Sequence, residues 1–255
     1  MKLKGADPEQ LVPALNDLAA EKGYTKIFAK VPAGKLAPFT EAGYVEEARI
    51  PRFYSGAEDA AFLGYYLDEE RAEPGNAEEL ERVLQLAEQR QAPGGGLDPL
   101  AASMTLRPCT PDDVEPMSAI YRTVFPSYPF PIHDTAYLAE TMKTDVRYFG
   151  ILADGGQLVA LSSSEMERGS RSVEMTDFAT LPDWRGHGFA VHLLEAMESE
   201  MRTLGMKTAF TIARAVSPGM NITFAKSGYE YGGRLINNTD ISGHIESMNV
   251  WHKAL

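Results

Sequence analysis

Residues 104–255 predict a mixed α/β fold in which a largely antiparallel sheet is flanked by helices, and three observations in the 255-residue chain predict it. Three β-prone runs stand side by side over 146–180, with turns at Asp154-Gly155-Gly156 and around Gly169, the pattern of antiparallel strands. A β-prone segment changes abruptly into a helical one at Arg185-Gly186-His187-Gly188-Phe189-Ala190, where two glycines and one small residue alternate. The whole order, β-α-α-β-β-β-α-β-α-β-β, is that of a mixed sheet rather than a doubly wound parallel one.

The elements follow in turn. "TLRPCT" gives a strand at 104–107. Val114, Met117, Ile120, Tyr121, Val124 and Phe125 recur at helical spacing, and Pro116 fits only in a first turn, so Asp112 or Asp113 caps that helix. "SYPFPIHD" is an extended loop because Pro129 and Pro131 restrict the residues before them. Asp134 then caps a short helix to about Met142. After the three strands, a helix over 190–204 ends at Gly205. "KTAFTIARA" is a strand, Ser217-Pro218 opens another helix, and strands over 229–237 and 246–252 complete the chain.

"RQAPGGGLDPLAAS" continues neither a helix nor a central strand, so residues 91–103 read as a linker between an N-terminal unit, 1–90, and the domain at 104–255. The N-terminal unit carries a weak repeat of the second. Residues 21–47 echo residues 203–231: a helix ending in Gly, a strand, then Phe39-x-x-x-Gly43-Tyr44 against Phe224-x-x-x-Gly228-Tyr229. The N-terminal copy has no Gly-rich turn and reads as half of a related domain that has lost its ligand loop.

Thirty-six acidic against 24 basic residues give a formal charge of −12. That leaves no basic footprint for nucleic acid and suits a cationic small substrate. No run approaches the roughly 20 apolar residues of a membrane span, and no signal-peptide pattern opens the chain. The single Cys109 excludes an internal disulfide framework and points to a reducing cytoplasm. Whether the N-terminal unit packs on its own chain or across a homodimer stays open.

A helix start presents unpaired amides and the positive end of its dipole, and glycines let an anion approach closely. The Gly-rich turn is therefore an anion site, for which three ligand classes compete. A P-loop string is absent, and a dinucleotide loop would need a third glycine where Val191 stands. The third class fits: Arg185-x-x-Gly188-x-Ala190 resembles the Arg/Gln-x-x-Gly-x-Gly/Ala signature of the GNAT acetyltransferases, and the element order resembles theirs over about 104–255. Longer strings, among them "YPFPIHD", "TDFATLPDWRGHGFAVHLL" and "ARAVSPGMNITFAKSGYEYGGRLINN", resemble a narrower family, the bacterial and archaeal β-lysine N-acetyltransferases.

The resemblance implies acetyl-CoA as cosubstrate and assigns roles by position. Phe178, Ala179 and Thr180 would supply backbone groups to the pantetheine arm and thioester, and Arg185, Gly186, His187, Gly188, Phe189 and Ala190 would form the pyrophosphate loop. Ser217, Asn221 and Phe224 lie in the segment beside the CoA arm. Phe224 stands where the family often has a thiolate-protonating Tyr, and a phenyl ring has no proton to give; Tyr229 or Ser217 is the substitute, or solvent. No metal is expected, since His187 and His192 are five apart with no partner at ligand spacing.

Acetylating an alkyl ammonium requires a base, because its pKa lies near 10.4. Glu174, eleven residues before Arg185, is the expected base; Asp177 falls on the opposite strand face by alternation and is expected to bind ammonium or to be structural. Tyr128 and Phe130, on the loop joining the first two helices of the domain, would wall the acceptor pocket. The narrower resemblance implies the side-chain amine of (3S)-3,6-diaminohexanoate as acceptor, a substrate with two ammonium groups and one carboxylate. Arg122, Arg214 and Arg234 are unranked candidates for that carboxylate.

Overall fold

The computed structural model describes residues 7–91 and 98–255, so residues 92–97 of the Gly-Pro linker lie outside the described residues. The N-terminal part runs α1 (Pro8–Glu21), β1 (Lys26–Pro32), α2 (Ala37–Glu41), β2 (Val45–Tyr54), β3 (Glu58–Tyr66) and α3 (Ala77–Glu88). The second part runs β4 (Thr105–Pro108), α4 (Val114–Val124), α5 (Thr135–Thr141), β5 (Val146–Leu152), β6 (Leu158–Glu167) and β7 (Ser172–Thr180), then α6 (Phe189–Thr203), β8 (Thr208–Arg214), α7 (Pro218–Lys226), β9 (Glu230–Ile241) and β10 (His244–Ala254). This is the order the sequence predicts. Asp134 and Gly205 cap as expected, whereas Asp113, at the N-cap of α4, makes no side-chain cap bond to that helix. Thr110 and Asp113 form a capping box before α4, Asp134 Oδ1 accepts from the Ala136 amide at 2.8 Å, and Gly205 ends α6 at φ +78°.

All ten strands form one sheet in the order β1-β3-β2-β9-β10-β8-β7-β6-β5-β4. Every neighbouring pair is antiparallel except β7 and β8. One face is covered by α3, α6 and α7, whose Ala87, Leu194, Met197 and Phe224 pack on Val159, Val173 and Met175. The other face carries α4 and α5, with Met117, Tyr121 and Leu138 against Leu158 and Leu161.

The internal repeat is structural. The succession α1-β1-α2-β2-β3 matches α6-β8-α7-β9-β10, and β1-β3-β2 mirrors β9-β10-β8 across the β2/β9 seam. Phe39 and Tyr44 meet edge-on at 5.3 Å, as Phe224 and Tyr229 do at 5.0 Å, around Gly43 and Gly228 at φ +90° and +79°. The N-terminal unit therefore packs within its own chain. The seam is one strand pair, Ala48 opposite Gly233, reinforced by Lys26 and Glu47: Lys26 Nζ reaches Ile236 O at 2.6 Å, and the Ile236 amide donates to Glu47 Oε1 at 2.9 Å. Beyond the seam the sheet curls, so that Phe53 and Phe62 of the β2–β3 hairpin pack on Phe210 of β8. The two parts thus share cores, and α3, though N-terminal to the linker, packs with α6 and α7.

Candidate active site

β7 is paired to β8 over three residues only, Ser172–Thr208, Val173–Ala209 and Glu174–Phe210, and the strands then part. On its other edge β7 bulges: Ser163 faces Thr176 and Leu161 faces Ala179, so Asp177 and Phe178 together oppose Ser162. Asp177 absorbs the extra residue at φ +54°. Parting and bulge together open a cleft of about 620 Å³ between β7, β8, α7 and the start of α6. Past Glu174, the backbone edge of β7 that would have paired with β8 faces this cleft.

The turn at 185–190 forms the cleft's mouth. Gly186 and Gly188 stand at φ +86° and +71°, and a Cβ on either would meet nothing within 4 Å, so these glycines are demanded by backbone conformation and not by packing. Among the described residues, no oxygen of the chain accepts from the amides of Gly186, His187, Gly188, Phe189 or Ala190, so the N-terminus of α6 is left as a row of donors. Phe178, Thr180, Arg185, Ser217 and Phe224 also line the cleft. The Ala179 side chain is buried and packs under α4.

Asn221 is not a ligand contact. It is fully buried, its amide nitrogen donates to Arg214 O and Ser217 O at 3.0 and 2.8 Å, and its oxygen accepts from Asn249 Nδ2 and Trp251 Nε1, both at 2.9 Å. Two donors and two acceptor sites are all an amide has, so nothing is left for CoA. Tyr229 is buried behind Phe224 on the helix-covered face, which removes it as a proton donor to the cleft; Ser217 stays at the cleft wall. Cys109 is half-buried and burial pushes its thiol up to about 12, so it is no nucleophile.

The acceptor side corrects the alternation argument. The bulge returns Asp177 to the face of Glu174, where Tyr128 Oη donates to Oδ1 at 2.5 Å and Ser163 Oγ to Oδ2 at 2.6 Å. Burial pushes the Asp177 carboxyl up, partly offset by these hydroxyl donors, and burial raises Tyr128 well above its ordinary value. Tyr128 lines the cleft, but Phe130 does not: its ring is 56 % exposed over a shallow depression on the outside of the loop. Glu174, the last β7 residue paired to β8, sits where the cleft closes and lines a second cavity of about 240 Å³ beside it. Of the three arginines, Arg214 grips the buried Glu246 through two bonds of 2.8 and 2.5 Å, Arg234 is held by Asn249 and Leu80 O, and Arg122 donates to His133 O. Sequence periodicity could not show the bulge, nor the cleft positions of Thr176 and Thr211.

This geometry has relatives. A family model described as the acetyltransferase (GNAT) family matches residues 115–229. A β-lysine N(6)-acetyltransferase of Methanococcus maripaludis is 40 % identical, with 99 % of this chain and 90 % of that protein covered. The chain belongs to the GNAT acetyltransferase family. A β-lysine N(6)-acetyltransferase of Methanosarcina mazei is 32 % identical with 97 % of each covered, and the N-acetyltransferase YodP of Bacillus subtilis is 33 % identical with 97 % and 88 % covered. Among solved structures, a spermidine N-acetyltransferase from Vibrio cholerae in complex with CoA and spermine matches at a TM-score of 0.51 and 18 % identity, over 60 % of this chain and 96 % of that one. A dodecameric form of that enzyme matches at 0.52 and 19 %, over 60 % and 94 %.

This GNAT chain is thus an acetyl-CoA-dependent N-acetyltransferase. Among the described residues, no group of three or more His, Cys, Asp or Glu is placed to hold a metal ion, and no helix is long and apolar enough to cross a membrane.

Proposed function

We propose that this GNAT enzyme acetylates the side-chain amine of β-lysine, making N6-acetyl-β-lysine as an osmoprotectant in the cytoplasm. The substrate comes from the names of relatives matched over nearly the whole chain. The observation that carries the chemistry is Glu174, a carboxylate where β7 and β8 part, beside the cleft and facing the same side as Tyr128 and Asp177.

In this reading the donor-rich turn 186–190 and Arg185 hold the pyrophosphate, while the unpaired edge of β7 receives the pantetheine arm and polarises the thioester carbonyl. Glu174 takes a proton from the acceptor ammonium, directly or through water. The freed nitrogen lone pair attacks the carbonyl carbon, the C–N bond forms, the C–S bond breaks, and the nitrogen releases its second proton to solvent, from which the proton given to the thiolate is replaced. The departing thiolate is protonated from Ser217 or solvent, because Phe224 has no proton to give. Asp177 holds Tyr128 in place by their hydrogen bond.

The test is CoA release from acetyl-CoA with β-lysine, α-lysine, spermidine or no amine. Rapid turnover with β-lysine alone is expected. Turnover with another amine would keep the chemistry and discard the substrate; acetyl-CoA binding without turnover on any amine would discard the enzyme reading.

A further inference from the structure

Two guanidinium groups line the cleft of about 620 Å³, Arg185 at its Gly-rich mouth and Arg214 at the end of β8. Arg122 and Arg234 do not line it. The pairing of β8 with β10 runs without a register shift, so alternation holds along β8 and puts Phe210, Ile212 and Arg214 on one face. Glu174 is paired to Phe210 and shares that face. Arg214 then lies about 13 Å further along β8, at roughly 3.3 Å per residue. Met248, opposite Arg214 on β10, lines the same cleft.

Arg214 is tied on one edge and open on the other. Its Nε and Nη2 donate to Glu246 Oε2 and Oε1 at 2.8 and 2.5 Å, and its side chain makes no other bond among the described residues. A guanidinium carries five N–H groups, so three are left, two on Nη1 and one on Nη2, which is the fork that matches a second carboxylate. The Glu246 side chain is 2 % exposed, whereas that of Arg214 keeps 30 % exposure. His244 Nε2 stands 2.8 Å from Glu246 Oε1 and holds the carboxylate from the other side. A buried and doubly held carboxylate therefore fixes the guanidinium plane, and a pre-set fork lowers the ordering cost of docking an anion.

We infer that the open fork of Arg214 binds the carboxylate of the acceptor and makes the enzyme select an amino acid over a plain diamine. The inference rests on the proposed acceptor chemistry. With the carboxylate held at the end of β8, the side-chain amine extends back along the strand towards the proposed base. Glu246 is a positioning residue that orients the Arg214 fork and touches no substrate.

The experiment compares β-lysine with 1,4-diaminopentane, the same diamine without its carboxylate, in the wild type, in Arg214→Gln and in the double variant Arg214→Gln/Glu246→Gln. The double variant removes the buried charge that the single one orphans, so it reports even if the single variant folds poorly. The wild type is expected to prefer β-lysine. Each variant is expected to lose about 10- to 100-fold in kcat/KM for β-lysine, chiefly through KM, the size of a lost charge-assisted hydrogen bond. Turnover of 1,4-diaminopentane and the KM for acetyl-CoA stay near wild type, so the preference collapses. Arg214→Lys, which keeps the charge and loses the fork, restores only part of it. A folded variant that keeps the wild-type preference, or slows both amines equally, overturns the inference while leaving the β-lysine reading intact. A raised KM for acetyl-CoA with the preference kept places Arg214 on the cosubstrate and overturns it as well. A wild type that acetylates 1,4-diaminopentane as well as β-lysine overturns it too, and one that does not acetylate β-lysine removes the reading on which it rests and the inference with it.

Discussion

Glu174 and Asn221 are both polar residues in sequence segments that resemble GNAT motifs, yet their surroundings separate them. Glu174 lines a cavity beside the cleft, so Glu174→Gln preserves shape and removes only the proton acceptor. Its kcat is expected to fall about 10²- to 10³-fold, with partial recovery at high pH where free amine accumulates, and the KM for acetyl-CoA unchanged. An undiminished kcat would move the base elsewhere. Asn221→Ala is expected to act on stability, because it leaves Asn249 Nδ2 and the Trp251 indole N–H buried without an acceptor. The cost is about 2–4 kcal/mol, read as a lower Tm or denaturant midpoint, with acetyl-CoA affinity retained in the folded fraction. An Asn beside a helix start looks the same in sequence whether it caps, binds or braces a core. The deciding fact is that Trp251 and Asn249, some 30 positions on, fold back onto it, and no local pattern carries that.

The elements themselves were legible because their signals are local: apolar spacing along α4, Asp134 before α5, Gly205 after α6, turn residues between β5, β6 and β7. The β7 bulge was not. Alternation assumes two residues per pleat, and Asp177 at φ +54° breaks that count, bringing its carboxylate to Tyr128 and Ser163. Asp177 is also where pH should show. Burial raises its folded-state pKa above the ordinary 3.8, so the folded protein holds that proton more tightly than the unfolded chain. The resulting stabilisation is fully present below that ordinary value and is lost as pH rises through the folded pKa. Asp177→Asn, neutral throughout, lacks this loss, so its Tm relative to wild type should be higher near pH 7.5 than near pH 4. Parallel pH curves for the two proteins would refute the raised pKa. The turn at 186–190 makes a separate prediction. Gly188→Ala places a methyl in open space at φ +71°, costing about 1–2 kcal/mol of backbone strain. If these amides hold the pyrophosphate, the KM for acetyl-CoA rises about tenfold or more while kcat at saturation changes little. A Tm drop with unaltered KM would make the turn merely structural.

At the scale of the molecule, the sequence repeat says nothing of where the N-terminal unit packs, because strand order is set by contacts between residues as far apart as Glu47 and Ile236. The seam depends on Gly232-Gly233 letting two backbones approach. A Cβ on Gly233 would lie 2.3 Å from Glu47 O and 2.6 Å from Ala48 Cα, and its φ of +135° suits no other residue. Backbone on both sides of the clash leaves no flexible side chain to yield. Gly233→Ala is therefore expected to open the β2–β9 seam, at a cost of about 2–4 kcal/mol. The kinetic consequence distinguishes a structural appendage from a working wall. The cleft between β7, β8, α6 and α7 is lined by no described residue of the N-terminal unit, whereas Lys30 of that unit lines the neighbouring cavity where Glu174, the proposed base, stands. Loosening the seam should raise the KM for the acceptor several-fold and leave that for acetyl-CoA alone. If both rise together, the seam supports the whole sheet rather than one site; if neither moves while Tm falls, the N-terminal unit stabilises the enzyme without shaping what it acetylates.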